Sequence, residues 1–97
     1  MLTELTRVRP GEVRHRDDWS VCFRGRWLVV YELGPDKGEM EIEHGPVSAT
    51  LYPESFHWTM PTNREATSEE RGLITSRVID AMRFMSISGI EVQAGRA

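Results

Sequence analysis

Apolar and polar residues alternate along most of the first sixty positions, the pattern of strands that bury one face of a sheet. The strongest example is residues 26–33, in which Trp27, Val29, Tyr31 and Leu33 fall on one face. The centre of the other face is apolar as well, which is typical of an interior strand with both sides covered. The pattern therefore predicts that Trp27 lies in the core.

The next strand, residues 38–44, alternates apolar and acidic residues with a period of two. Side chains of an extended strand point to opposite faces in turn, so Met40 and Ile42 are expected to face the core. The outward positions are all acidic: Glu39, Glu41 and Glu43. Their spacing of about 6.6–6.8 Å is close to that of successive phosphates in a nucleic-acid strand. An acidic outer face is also ordinary for a half-buried strand, so both interpretations stay open.

Turn residues divide the remaining β-type sequence at intervals of roughly ten positions, which favours an antiparallel meander. Residues 34–38 form a turn cluster that joins the two strands above in a hairpin. Further strands are expected at residues 2–9, 19–23, 47–52 and 56–60, with a turn at 53–55 between the last two. The charged residues 12–18 are either a loop or a second short strand.

The pattern changes to a helical one after residue 67, and predicts a helix over residues 68–86. Thr67 and Glu70 have the spacing of a capping box. An apolar stripe follows at helical spacing: Ile74, Val78, Ala81, Met82 and Met85. The arginines of this segment, Arg71, Arg77 and Arg83, do not share one helix face and are expected in solvent. Residues 90–92 are a candidate for one last strand.

These elements predict a single α+β domain over residues 1–97. Residues 1–60 are expected to be mostly β-strands of a single antiparallel sheet of five to seven strands, with residues 90–92 as a possible last strand. One long C-terminal helix is expected to pack on one face of this sheet. The expected core is Val21, Phe23, Trp27, Val29, Tyr31, Met40, Ile42, Ile74, Val78, Ala81, Met82 and Met85.

Composition and charge narrow the classes of partner. The 97 residues carry a formal net charge of −3 with a pI of about 5.6, which argues against direct nucleic-acid binding and suits a basic partner. One cysteine, Cys22, excludes an intrachain disulfide and favours a reducing, cytoplasmic location. No apolar run has the length of a signal peptide or a membrane span, so no membrane contact is expected.

Candidate catalytic and metal-binding residues are few. The three histidines have no zinc-like spacing to one another or to the cysteine, and we expect no metal and no cofactor. A small ribonuclease would need a general base, a general acid and cations around the phosphate. Glu41, His57, Arg24 and Arg26 supply those residue types, but nearly every domain of this size contains such a set.

A set of acidic residues in the predicted hairpin is the main candidate for a binding site: Glu32, Asp36, Glu39, Glu41 and Glu43. Like charges that face one another across a sheet are destabilising. Such a set is either neutralised internally, by Arg24, Arg26 or Lys37, or used on a partner. Trp19 and Trp58 lie near strand ends, where each is either a core-edge residue or an interface anchor.

Several segments together resemble the small immunity proteins of bacterial polymorphic toxin and contact-dependent growth inhibition systems. The resemblance covers roughly residues 19–92. The residues that carry it are the strand Gly25–Glu32, the strand Met40–Ile42, Gly45-Pro46, Leu51-Tyr52, and the helical residues Glu70, Arg71, Ile74, Arg77, Asp80, Ala81, Phe84 and Met85.

The resemblance implies a protein that is not an enzyme and that blocks the C-terminal domain of a cognate toxin, commonly a nuclease. The family shares no catalytic motif, so it assigns no functional residue here. Combined with the acidic set, it predicts binding to a basic cleft through Glu32, Asp36, Glu39, Glu41 and Glu43, with Tyr52 and Trp58 as aromatic anchors. The alternatives are a small cytoplasmic binding or scaffold module of unknown ligand and a small hydrolase. The oligomeric state is not predicted.

Overall fold

One curled sheet and one helix make up residues 5–93, the part of the chain that the computed structural model describes. The elements in this range are β1 (Leu5–Arg9), β2 (Glu12–His15), β3 (Trp19–Arg24), β4 (Leu28–Leu33), β5 (Asp36–His44), β6 (Ser48–Met60), β7 (Arg64–Glu65), α1 (Ser68–Phe84) and β8 (Gly89–Val92). The α+β class is confirmed, although the described range holds eight strands rather than five to seven. The first strand was expected from Leu2, and residues 2–4 lie outside this range.

Strands β1 to β7 form the expected meander, in which each strand runs antiparallel to its successor. β8 departs from it, because it runs parallel to β6 beside residues 48–51. A parallel neighbour needs a crossover connection, and α1 supplies that connection between β7 and β8. The candidate last strand at residues 90–92 is therefore confirmed as β8, whereas the prediction of a wholly antiparallel sheet was wrong at this edge.

β6 is one continuous strand of 13 residues, where the sequence predicted two strands separated by a turn. Tyr52 pairs with Glu41 and His57 pairs with Glu39, so the residues between them form a bulge. Ser55 closes this bulge: its Oγ accepts a hydrogen bond from the Glu41 amide (2.7 Å) and donates one to the Tyr52 carbonyl (2.6 Å). The polar and proline residues that indicated a turn thus bend a strand instead of ending it.

The core lies between α1 and one face of the sheet. The helix contributes the predicted apolar stripe: Ile74, Val78, Ala81 and Met82 are buried, and Met85 is partly buried. The sheet contributes Val13, Trp19, Val21, Val29, Tyr31, Met40, Ile42, Leu51, Phe56 and Trp58. Trp27 was expected among them, and that prediction was wrong: it lies in the turn before β4 and is exposed.

Two arginines hold the helix on the sheet. The Arg71 guanidinium donates to the carbonyls of Ala66 (2.7 Å) and Phe56 (3.2 Å), and Arg77 donates to the Tyr31 hydroxyl (2.6 Å). Burial raises the pKa of Tyr31, and the charge and hydrogen bond of Arg77 oppose this shift. A solvated helix surface was therefore the wrong prediction for these two arginines, because the helix docks through them.

Gly38 in β5 makes a close contact with β6. A Cβ at this position would lie 2.8 Å from the His57 carbonyl oxygen and would overlap the Phe56 ring. The aromatic ring therefore covers the space that a side chain would occupy, and it stacks edge-on against Trp58 at 5.2 Å between ring centroids. This contact fixes the pairing of β5 with β6 at the point where the bulge begins.

We expect Gly38→Ala to lower the free energy of unfolding by about 1–3 kcal/mol, because the backbone and ring at this site must shift to admit a methyl group. Gly72→Ala is the matched control. It lies on the helix surface with open space around the added Cβ, so the substitution should stabilise the protein by up to about 1 kcal/mol. Urea unfolding of both variants measures the change in the free energy of unfolding, which should be negative for Gly38→Ala and positive for Gly72→Ala. Equal changes in the two variants would contradict the close contact at Gly38.

The capping box at the start of α1 is confirmed. The Thr67 hydroxyl accepts from the Glu70 amide at 3.1 Å, and the Glu70 carboxylate accepts from the Thr67 amide at 2.9 Å. Glu70 also accepts from the indole of Trp58 (3.2 Å) and lies 3.5 Å from the Arg64 guanidinium. The Thr67 amide, the Trp58 indole and Arg64, in that order, lower the pKa of Glu70.

We expect Glu70→Gln to lose stability near pH 7, because the amide keeps the size of the side chain but not the charge at the helix N-terminus. The loss should be below about 1 kcal/mol. The folded-state pKa of Glu70 is lowered, so its contribution is complete above the ordinary glutamate pKa and disappears as the pH falls through the lowered value. Unfolding curves from pH 7 to pH 2 should converge for the two proteins at the acid end. A constant difference would contradict this assignment.

Candidate partner-binding surface

Three carboxylates follow one another along β5 on the sheet face opposite the helix. Met40 and Ile42 are buried in the core, so the alternate residues of the strand point the other way, as predicted. Two of them are exposed and the first is half-buried. We call Glu39, Glu41 and Glu43 the acidic row.

No lysine or arginine stands directly opposite the acidic row on the neighbouring strands. The paired positions are Val30 and Leu28 on β4, and His57, Tyr52 and Thr50 on β6. Within residues 5–93, Glu39 and Glu43 form no ion pair with a lysine or arginine. These two carboxylates therefore keep their negative charge on this face of the sheet.

The other two acidic residues of the hairpin do not belong with the acidic row. Lys37 lies directly opposite Glu32, and the ammonium is 3.9 Å from the carboxylate. Asp36 pairs with Leu33 at the start of β5, and its position in the alternation places it on the other face of the strand. The structure thus brings together three of the five predicted carboxylates. Glu32 is excluded because it is paired with Lys37, and Asp36 is excluded because it lies on the other face of the strand.

Tyr52 is buried and was wrongly expected as an exposed anchor. Its hydroxyl donates a 2.6 Å hydrogen bond to Oε1 of Glu43. Tyr52 therefore contributes to the acidic row by holding the Glu43 carboxylate in a defined orientation. No pattern in the sequence indicated this hydrogen bond.

Trp58 is also buried, with 3% of its surface exposed, so the structure leaves it no area for a partner. Its ring packs against Phe56 and Tyr31, its indole N–H is bonded to Glu70, and the Arg64 guanidinium lies 5.0 Å from the ring centroid. Trp58 is buried because it lies on the face of β6 that points toward the helix, together with the core residue Phe56. Trp58 is a core residue rather than an anchor.

Trp27 is the exposed tryptophan, with 55% of its surface accessible, and the sequence interpretation missed it. Its carbonyl accepts a hydrogen bond from the amide of Ile42 (3.0 Å), and the Arg26 carbonyl accepts from His44 (3.1 Å). These bonds place the β3–β4 turn alongside the end of the acidic row. The signal was available in the sequence, since Trp27 follows the turn residues Gly25-Arg26 directly, and the structure includes it in that turn.

A cleft of about 480 Å³ opens beside Trp27. We call it the Trp27 cleft; its charged and aromatic lining residues are Arg26, Trp27, Glu43, His44 and Glu91, and Thr50 lies between the two carboxylates. Thr50 pairs with Glu43 on one side and with Glu91 on the other. The two glutamates are therefore about 10 Å apart across three strands, which is two inter-strand spacings.

The residues proposed for a small ribonuclease do not converge. Across the β5–β6 pair it is Glu39, not Glu41, that stands opposite His57. His57 lines a cleft with Arg64 and Arg71, whereas Arg26 lines the Trp27 cleft. In the part of the chain that the structure describes, no group of three His, Cys, Asp or Glu side chains is arranged to hold a metal ion.

No protein-family model, curated protein or solved structure matches this chain. No helix in the described range has the length and apolar character needed to cross a membrane.

The different environments of the three tryptophans make a spectroscopic prediction. We expect Trp27→Phe to remove most of the fluorescence that acrylamide quenches, because Trp19 and Trp58 are each only 3% exposed. Trp58→Phe is the control, since it removes a buried indole and should leave the quenchable emission intact while its share of the total emission rises. Stern–Volmer plots of both variants provide the measurement. An unchanged quenchable fraction in Trp27→Phe would mean that a different tryptophan is the exposed one.

Proposed function

We propose that this chain is an immunity protein that binds a cognate bacterial toxin domain, a basic nuclease, and blocks its substrate cleft. The observation that carries the proposal is the acidic row on the sheet face opposite the helix, in which Glu39 and Glu43 form no ion pair with a lysine or arginine of residues 5–93. The chain's net charge of −3 has the sign that suits a basic partner.

A nuclease presents a positively charged substrate cleft to solvent. Its cleft must attract the phosphates of a nucleic acid, so it carries lysine and arginine side chains. The acidic row offers carboxylates about 6.6–6.8 Å apart along an extended strand, and such a row can occupy the same cations. Complementary charge of this kind raises the association rate and selects the partner.

The aromatic anchor of the proposed interface is Trp27 rather than Tyr52 or Trp58, the residues that the sequence suggested. Tryptophan is enriched among the residues that dominate binding energy, provided that it is available to the partner. Trp27 is exposed beside Glu43, whereas Tyr52 and Trp58 are buried. An interface of ordinary size covers about 800 Å² of each partner, enough to include both the acidic row and the indole. The toxin acts on nucleic acid in the cytoplasm, so the proposal places this chain there.

The proposal predicts that a toxin domain is encoded directly upstream of this chain, and the test mixes that purified domain with it. We expect a complex whose association rate falls with added salt, because the Debye length shrinks from about 10 Å at 0.1 M to about 3 Å at 1 M. Converting all three residues of the acidic row to glutamine should slow association by about tenfold or more at low salt. Stopped-flow mixing measures the rate, and survival of cells that express the toxin measures protection.

The matched control converts Glu54, Glu65 and Glu69 to glutamine. These residues are exposed outside the acidic row, and the change in net charge is the same. Equal slowing by the two triple variants would show that only net charge matters, and the acidic row would lose its assigned role. Failure of the wild-type chain to bind the toxin domain would overturn the proposed function itself.

A further inference from the structure

Trp27 and two carboxylates form a line across three strands at one end of the sheet. Trp27 lies against β5, Glu43 is on β5, and Glu91 is on β8 beyond Thr50 of β6. All four line the Trp27 cleft. This direction crosses the acidic row at Glu43, so the two features share one residue but extend over different parts of the surface.

The indole face already has a cation as its neighbour. The guanidinium carbon of Arg26 lies 6.0 Å from the centre of the Trp27 ring, at the limit for a cation–π contact. Arg26 is exposed, and within the described residues it forms no ion pair with Glu43 or Glu91. The cleft therefore contains an aromatic face and two carboxylates, which are groups that bind a guanidinium. The native guanidinium of Arg26 makes only a distant contact with the ring.

One carboxylate of the cleft has a defined orientation before any partner arrives. Oε1 of Glu43 accepts the 2.6 Å hydrogen bond from the buried Tyr52 hydroxyl. A carboxylate has about four acceptor sites, so this bond leaves Oε2 able to accept from a donor in the cleft. The exposed indole supplies a flat apolar face on one side, and Glu91 supplies a second charge on the other.

We propose that the Trp27 cleft receives an arginine side chain of the basic partner, with the guanidinium stacked on Trp27 and bonded to Glu43 and Glu91. This inference rests on the proposed function, because it assigns an anchoring contact within the same interface. Charge complementarity selects a cation, and the flat indole beside the carboxylates favours the planar guanidinium over an ammonium. A second copy of the chain is a poor occupant, because it would bring another acidic row against this one.

The first experiment uses hexa-arginine peptide as the probe and calorimetry at low salt as the readout, with hexa-lysine and hexa-citrulline as comparison peptides. We expect hexa-arginine to bind more tightly than hexa-lysine, and the neutral hexa-citrulline to show no binding. Trp27→Leu should weaken hexa-arginine binding by roughly three- to fivefold. The double variant Glu43→Gln/Glu91→Gln should weaken it further than Glu54→Gln/Glu69→Gln, which has the same net charge.

Arg26→Gln provides a variant that should gain affinity, which misfolding cannot imitate. It removes the native guanidinium from the indole, so hexa-arginine should bind severalfold more tightly. Arg16→Gln is the matched control: it removes one exposed positive charge from the β2–β3 turn, away from the cleft. Equal gains in both variants, or hexa-arginine affinity that is unchanged in Trp27→Leu, would overturn the inference. Self-association of the chain that Trp27→Leu abolishes would overturn it as well.

The same variants separate this inference from the proposed function. If Glu39→Gln/Glu41→Gln slows toxin binding while Trp27→Leu and Glu91→Gln leave it unchanged, the inhibitor proposal stands and the arginine site is overturned. If hexa-arginine binds at Trp27 but the upstream toxin domain does not bind at all, the arginine site stands and the inhibitor proposal is overturned.

Discussion

The register of β5 between β4 and β6 is the constraint on which the rest of this structure depends. Side chains alternate with a period of two, so a slip of one residue would bury three carboxylates and expose Met40 and Ile42. Two local features hold the register. The β4–β5 hairpin turns through Gly34-Pro35 with Gly34 at a positive φ of 59°, as a tight two-residue hairpin requires. On the other side, the Phe56 ring lies over Gly38 and leaves room for no other residue.

Features that depend on near neighbours in the chain were predictable from the sequence. The capping box of Thr67 and Glu70 and the apolar stripe of α1 follow from spacings of three and four residues. The acidic row follows from a spacing of two. The meander follows from the regular turn signals. In each case, the interactions that decide the structure lie within one element or between neighbours along the chain, so the local pattern contains the relevant information.

Features that depend on where the helix lies were not predictable in this way. Two tryptophans show this. Trp27 was expected in the core and is exposed, whereas Trp58 was considered as an interface anchor and is buried. Both continue the apolar alternation of a strand in the sequence, but Trp27 belongs to the turn before β4, whereas Trp58 lies in β6 among the core residues. Arg71 and Arg77 were misjudged for the same reason, since their partners Phe56 and Tyr31 belong to strands distant in sequence. The parallel pairing of β8 likewise requires the crossover path of α1.

The hydrogen bond from Tyr52 to Glu43 has an energetic consequence for any complex that this surface forms. A free glutamate side chain loses up to about 1.5–2 kcal/mol of rotational entropy when it becomes fixed. Here a hydrogen bond from a buried tyrosine already orients it in the folded chain. A ligand that contacts this carboxylate therefore meets a rigid acceptor and is spared much of the ordering cost that flexible surface acids impose on association.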